Sequence, residues 1–204
     1  MGDFALNGLL GTYPLFLLST SQWRTLLDDA GAGRLLDIGA ACGDVTDRLA
    51  PLFDEVTVTE VNRPMVKALR RKGYDAHQID VTIADIPGSP FDVVAALNVL
   101  DRCSHPRTLL RRLAELTAPG GHLVVSIPLP YRPCWYDGPR LAEPVERLPL
   151  SATDFDTAAR ALAAVLEIHG TQVTAIARAP YLSGGDLDAA SYELEAAIVV
   201  ARKT

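Results

Sequence analysis

The chain has 204 residues, 49% of them hydrophobic, which suits a single α/β unit with a substantial core. A formal net charge of −6 argues against a nucleic-acid surface, which needs a clustered basic face. Three widely spaced cysteines, Cys42, Cys103 and Cys134, give neither a zinc spacing nor a disulfide framework and suit a reducing, cytoplasmic setting.

Residues 1–19 are apolar with glycine and polar interruptions, and a flap packed over the domain is expected there. The opening Met1-Gly2-Asp3-Phe4 has no basic n-region, and no apolar run reaches the ~18 residues of a membrane span. Ser19 or Ser21 can cap a helix carrying Trp23, Leu26 and Leu27 on one side, with Gly31 near its end, so 1–30 read as flap plus helix.

Arg34 to Ile38 reads as a short strand with Asp37 at its carboxyl end. Gly39 and Gly43 bracket the turn that follows, where their backbone freedom lets a ligand approach the main chain. A helix from Asp44 to about Leu52 would present unpaired N–H groups to that ligand. The dinucleotide fingerprint G-x-G-x-x-G would need glycine at Ala41 and Asp44, and neither is glycine. The alternative is a strand-to-helix turn with no ligand.

Val56 to Glu60 is a second, β-branched strand ending in an acid. Glu60 lies 23 positions beyond Asp37, close to where a nucleotide-binding α/β unit places its ribose carboxylate. A helix over Met65–Lys72 stops at Gly73, and Tyr74–Asp80 is a weaker strand whose Asp80 is a candidate for an adenine amino group. Phe91 to Asn98 is nearly continuous in apolar residues, as a central parallel strand should be, with Asn98 and Asp101 emerging past its carboxyl end.

A helix over Arg107–Thr117 ends at Pro119-Gly120-Gly121, and His122–Ile127 is the fifth strand. The proline-rich stretch from Pro128 to about residue 152 is expected to be an ordered loop over the sheet edge. Thr153 or Asp154 opens another helix, stopped by Gly170. Two last strands, near Val173–Arg178 and Ala196–Ala201, flank a loop holding Tyr181. The alternation implies one domain over 1–204: an α/β, Rossmann-like, doubly wound sheet of seven mostly parallel strands, helices on both faces and a closing antiparallel pair.

The Asp37-x-Gly39-x-x-x-Gly43 spacing resembles the first motif of class I S-adenosylmethionine-dependent methyltransferases. Leu97-Asn98-Val99-Leu100-Asp101-Arg102-Cys103 narrows the resemblance to the DREV family, methyltransferases of protein histidine at the pros nitrogen, Nδ1. Gly43-Asp44-Val45-Thr46, Thr59-Glu60, Pro128-Leu129-Pro130-Tyr131, Pro180-Tyr181-Leu182 and Gly185-Asp186 are similar to it in register. The family usually reads Gly-Ala-Gly-Asp-Gly where this chain has Gly39-Ala40-Ala41-Cys42-Gly43. Ala41 would keep the turn with a negative φ, and Cys42 removes a carboxylate.

The resemblance implies S-adenosylmethionine held by Asp37, Gly39, Gly43 and Glu60 with help from Asp80 and Asn98. It implies a substrate imidazole surrounded by Asn98, Asp101 and Tyr181. Neutral imidazole has one bare nitrogen and one N–H, so a carboxylate at Asp101 accepting from Nε2–H would leave Nδ1 free to attack. A salt bridge to Arg102 or Arg107 is the plainer role for Asp101, and a core-lining ring the plainer role for Tyr181. His77, His105, His122 and His169 are scattered, without metal spacing and without the His-x-His pattern the family prefers as target, so the histidine substrate should arrive in trans. A small-metabolite methyltransferase and a non-catalytic cofactor-binding partner protein are the competing classes.

Overall fold

The computed structural model describes residues 15–28, 33–137, 140–150, 154–184 and 190–204. Gly31, Thr153, Gly185 and Asp186 lie outside the described residues, as does the flap's first part, 1–14.

The first described helix, α1 (Thr20–Leu27), begins at Ser19 with a full capping box: the Ser19 hydroxyl accepts from the Gln22 N–H and Gln22 reaches back to the cap. The nucleotide-type unit follows as β1 (Arg34–Ile38), α2 (Thr46–Leu49), β2 (Glu55–Thr59), α3 (Arg63–Arg71) and β3 (Asp75–His77). The second half comprises β4 (Phe91–Leu97), α4 (Pro106–Leu116), β5 (Thr117–Leu129), β6 (Trp135–Asp137), β7 (Arg140–Ala142), α5 (Phe155–Glu167), β8 (Thr171–Gly184) and β9 (Ser191–Lys203).

Seven strands form one sheet in the order β3-β2-β1-β4-β5-β9-β8. β1 to β5 run parallel, and β9 enters antiparallel between β5 and β8. Alternation of side chains along β4 splits the core in two. Val94 and Ala96 join Leu36, Val125 and Ile127 under α4 and α5, while Val93, Ala95 and Leu97 join Leu35, Val124 and Ile198 on the face of α1 and α2. Leu17 and Leu18 are buried in the second cluster, beside Trp23 and Tyr181.

Several expected boundaries move, each for a local reason. The helix expected over Asp44–Leu52 is four residues of α2 followed by a 3₁₀ turn at Ala50–Leu52, because Pro51 has no N–H to continue it. The strand expected over Tyr74–Asp80 is only Asp75–His77, and Asp80 closes a side-chain turn instead. β5 pairs from Thr117, and the register shift between Phe91 and Val93 absorbs Pro119, Gly120 and Gly121 beside the ladder rather than before it. The proline-rich stretch is not all loop: Pro128 and Leu129 still pair in β5, and β6 and β7 form a small ribbon.

The correction with most consequence concerns the last pair. β8 and β9 extend well past the expected ranges, so Tyr181 stands inside β8, paired in register with Leu194, and not in a loop. Pro180 is tolerated there because β8 is the edge of the sheet.

Candidate functional site

Parallel pairing brings Asp37, Glu60 and Asn98 to one sheet edge. Ile38 and Thr59 are in register at the ends of β1 and β2, and Asn98 follows Leu97 at the end of β4. The turn after β1 is hung on β2, for the Gly39 and Ala40 N–H groups both donate to the Thr59 carbonyl, at 2.9 and 3.1 Å. Gly39, Ala41 and Gly43 all have positive φ, at 70°, 50° and 83°. Ala41 therefore does not take the negative φ expected of it. It occupies the left-handed region at a cost of about 1–2 kcal/mol, and Glu60 Oε2 accepts from its N–H at 3.2 Å. The other Glu60 oxygen accepts from the Asn62 N–H at 2.8 Å, so the carboxylate braces the turn as well as facing it.

Asp37 is buried and accepts a 2.6 Å hydrogen bond from Thr46, the first residue of α2. Burial pushes its carboxyl up to about 7, with the Thr46 bond opposing and the Glu60 charge assisting. Burial also raises Glu60, against the N–H groups of Asn62 and Ala41. Both carboxyls are therefore held above their usual range at the carboxyl ends of β1 and β2. Cys42 packs against Met65 instead of presenting a charge. Asp80 is exposed and its Oδ1 accepts from both the N–H and the hydroxyl of Thr82, at 2.9 and 2.6 Å.

The Asp37 shift gives a pH test. A carboxyl whose folded pKa lies above its ordinary value stabilises the fold fully below about pH 4, and that contribution is lost as pH rises through about 7. Asp37→Asn has no charge to bury and still accepts from Thr46. Without cofactor, the melting temperature of Asp37→Asn minus that of the wild type is expected to rise by several degrees, roughly 5 °C, from pH 5 to pH 8. A difference that stays flat would remove the burial argument.

A second cluster lies past β4. Asn98 has φ 56°, a conformation asparagine tolerates. Its N–H donates to Ser126 Oγ at 2.9 Å, the Ser126 hydroxyl donates to Asn98 Oδ1 at 2.8 Å, and Asn98 Nδ2 donates to Tyr181 Oη at 3.4 Å. Asp101 is 1% exposed. Its Oδ2 meets Arg102 Nη1 at 2.6 Å, while Oδ1 is buried with no hydrogen-bond partner among the described residues. Burial pushes its carboxyl up to about 6 despite the adjacent guanidinium. Tyr181 is pushed to about 12 and Tyr131 upward, each by burial and then by the Asp101 charge.

The sequence pointed to Asn98, Asp101 and Tyr181, and the structure joins Asn98 to Tyr181 directly and places Asp101 within their electrostatic reach. Ser126, Thr46 and Tyr131 were not singled out as site residues. Ser126 had a signal, as the one hydroxyl inside the buried run Leu123 to Ile127, where a polar group needs a partner. Glu60 braces the turn after Asp37 through the Ala41 N–H, whereas Asp80 bonds to Thr82 and its charge reaches only the Cys103 thiol among the described residues.

The fold and this turn define the class of S-adenosylmethionine-dependent methyltransferases with the class I architecture. The chain belongs to the DREV methyltransferase family, whose model matches residues 1–203. A ubiquinone biosynthesis O-methyltransferase of Xanthomonas euvesicatoria pv. vesicatoria is 32% identical over 110 residues, covering 50% of this chain and 45% of that enzyme. An uncharacterized methyltransferase of Mycobacterium bovis, Mb0092, is 30% identical over 99 residues, covering 47% of this chain and 50% of the other. The chain thus spans about half the length of the curated relatives it matches.

Among solved structures, the N-methyltransferase NodS of Bradyrhizobium japonicum WM9 with S-adenosyl-L-homocysteine superposes with TM-score 0.57 at 19% identity, covering 90% of this chain and 85% of that one. The [4+2]-cyclase SpnF superposes with TM-score 0.63 at 19% identity, covering 98% and 92%. The cofactor is S-adenosylmethionine, and the turn fits it: Gly39 and Gly43 leave the backbone open to a ligand beside the buried carboxyls of Asp37 and Glu60. The cyclase likeness shows that this fold does not by itself name the acceptor. No helix among the described residues is long and apolar enough to cross a membrane.

Proposed function

We propose that this protein methylates histidine at Nδ1 in His-x-His-type segments of a protein or peptide supplied in trans. The observation that carries this reading is Asp101 Oδ1, a buried oxygen with no hydrogen-bond partner among the described residues. A buried acceptor left unsatisfied costs roughly 1–3 kcal/mol, so the site favours an occupant that brings an N–H. Imidazole brings one at Nε2 and keeps a lone pair at Nδ1. Asp37, Gly39, Gly43 and Glu60 hold the cofactor, with Asp80 and the Asn98 turn at its margin.

S-adenosylmethionine, when bound, supplies the sulfonium methyl group as electrophile. Asp101 accepts from Nε2–H and fixes the tautomer in which Nδ1 is bare. Asn98, locked by Ser126, and Tyr181 orient the ring or its neighbouring peptide. The Nδ1 lone pair would take the methyl group as the methyl–sulfur bond breaks, the sulfur keeping that electron pair as a neutral thioether, and the resulting imidazolium would be stabilised by the Asp101 charge. The Nε2 proton then leaves by way of that carboxylate, returning a neutral methylhistidine.

Mass spectrometry of His-x-His peptides incubated with the protein and cofactor is expected to show one added methyl, with fragmentation and NMR placing it at Nδ1. Methylation mainly at Nε2 would overturn the orientation assigned to Asp101. A second reading rests on a relative named a ubiquinone biosynthesis O-methyltransferase. It expects O-methylation of a small molecule and none of the peptides. A protein that binds cofactor and methylates neither would be a cofactor-binding partner protein.

A further inference from the structure

The segment after β5 is stitched to the Asp101 turn at several points. The Asp101 carbonyl accepts from Cys134 N–H at 2.9 Å and from Arg102 Nη1 at 2.9 Å. The same Arg102 nitrogen reaches the Arg132 carbonyl at 3.1 Å and Asp101 Oδ2 at 2.6 Å. Tyr131 Oη lies 3.5 Å from the Leu100 carbonyl. Further along, Glu146 accepts from the N–H and hydroxyl of Thr108 in α4, and its own N–H donates to the Ser104 carbonyl. Residues 131–137 and 140–146 therefore form a strap fastened at both ends to the turn that carries Asp101.

We infer that Arg102 is a positioning residue for the histidine-methylating reaction proposed above, aiming Asp101 Oδ1 at the substrate and coupling the strap to that carboxylate. By taking Oδ2 it leaves only Oδ1 to the pocket. By sharing one nitrogen with the Arg132 carbonyl it makes the position of the strap and the direction of the acid a single arrangement. Its side chain is 36% exposed, against 2% for that of Asp101, so a cation at the rim compensates a charge in the interior. Among the described residues, the other titratable groups that feel the Asp101 charge are Cys103 on its own turn, Tyr131 from the strap and Tyr181 from β8. All three are neutral near pH 7 in the free protein, and Arg102 is the cation that opposes the burial of Asp101.

The experiment compares wild type, Arg102→Gln and Arg102→Lys. With no substrate present, carboxyl NMR titration of Asp101 is expected to move up by about one unit or more in Arg102→Gln and to return most of the way in Arg102→Lys, because lysine restores charge. With a His-x-His peptide, kcat of Arg102→Gln is expected to fall about tenfold or more with a smaller change in KM, and its acid limb to move to higher pH. The substrate imidazole contributes its own limb near pH 6.5, unchanged between variants. Arg102→Lys should recover the limb but not all of kcat, since the shorter ammonium does not reproduce the placement of Nη1 between Asp101 and the Arg132 carbonyl. An Asp101 titration unaltered in folded Arg102→Gln would overturn the inference. Absence of peptide methylation by the wild type would overturn the histidine reading alone, and the substrate-free titration would still decide the hold of Arg102 on Asp101.

Discussion

Asp101→Asn is expected to lower turnover on a His-x-His peptide by roughly 10²-fold or more while leaving cofactor affinity nearly unchanged. The substitution keeps the volume of a side chain that is 1% exposed, so it opens no cavity. An amide oxygen can still accept from Nε2–H, but it has no charge to set against the developing imidazolium. An interaction stronger in the transition state than in the ground state acts on turnover, so KM should move less than kcat. The amide also leaves Arg102 without its carboxylate partner, yet that guanidinium is partly solvated and keeps the Asp101 and Arg132 carbonyls. The folded state should therefore survive. Single-turnover kinetics with saturating cofactor and peptide separates the two effects, and near-normal turnover would reduce Asp101 to the counter-ion of Arg102.

Loss of cofactor binding is the expected result of filling the turn at Gly39. With φ at 70°, a β-carbon there would sit 2.8 Å from Val99 Cγ2, so either the turn or the Asn98 segment must move. Gly39→Ala should weaken S-adenosylmethionine binding about tenfold or more, and Gly39→Arg, with a long side chain where the ligand meets the backbone, should abolish it. Gly73→Ala is the matched control. Gly73 has φ 93° and open space around it, so it incurs the backbone strain of about 1–2 kcal/mol without a clash. Calorimetric titration should find the control at wild-type affinity. If Gly39→Arg bound the cofactor as the wild type does, this turn would be excluded from the site. Since Gly39 abuts the residue after Asn98, the milder variant should also disturb the substrate cluster, visible as a lower kcat at saturating cofactor.

Short-range patterns were legible without coordinates because they depend on residues close in the chain. The apolar run of β4, the caps at Ser19 and Asp154 and the stops at Gly73 and Gly170 all appear where the local chemistry puts them. The seven-stranded class I sheet followed from the alternation of these elements, and with it the meeting of Asp37, Glu60 and Asn98 at one edge. Strand ends were less legible. Pairing with β9 carries β8 through Pro180 and Tyr181, and no propensity within that segment announces it.

The sequence by itself determined the fold class, the cofactor turn and the acids at the strand ends, since periodicity, glycine spacing and strand order are local or combinatorial properties. Only the tertiary structure decided how the site is wired. It set Ala41 in the left-handed region with Glu60 as its brace, joined Asn98 to Tyr181 across 83 positions, and drew Arg102 to the carbonyl of Arg132. The first two are partly buried hydrogen bonds, whose polar groups must find a partner, and the third lies at the rim; all join residues that only the assembled molecule brings together. Burial also leaves Asp101 Oδ1 with no hydrogen-bond partner among the described residues, which no spacing of residues announces.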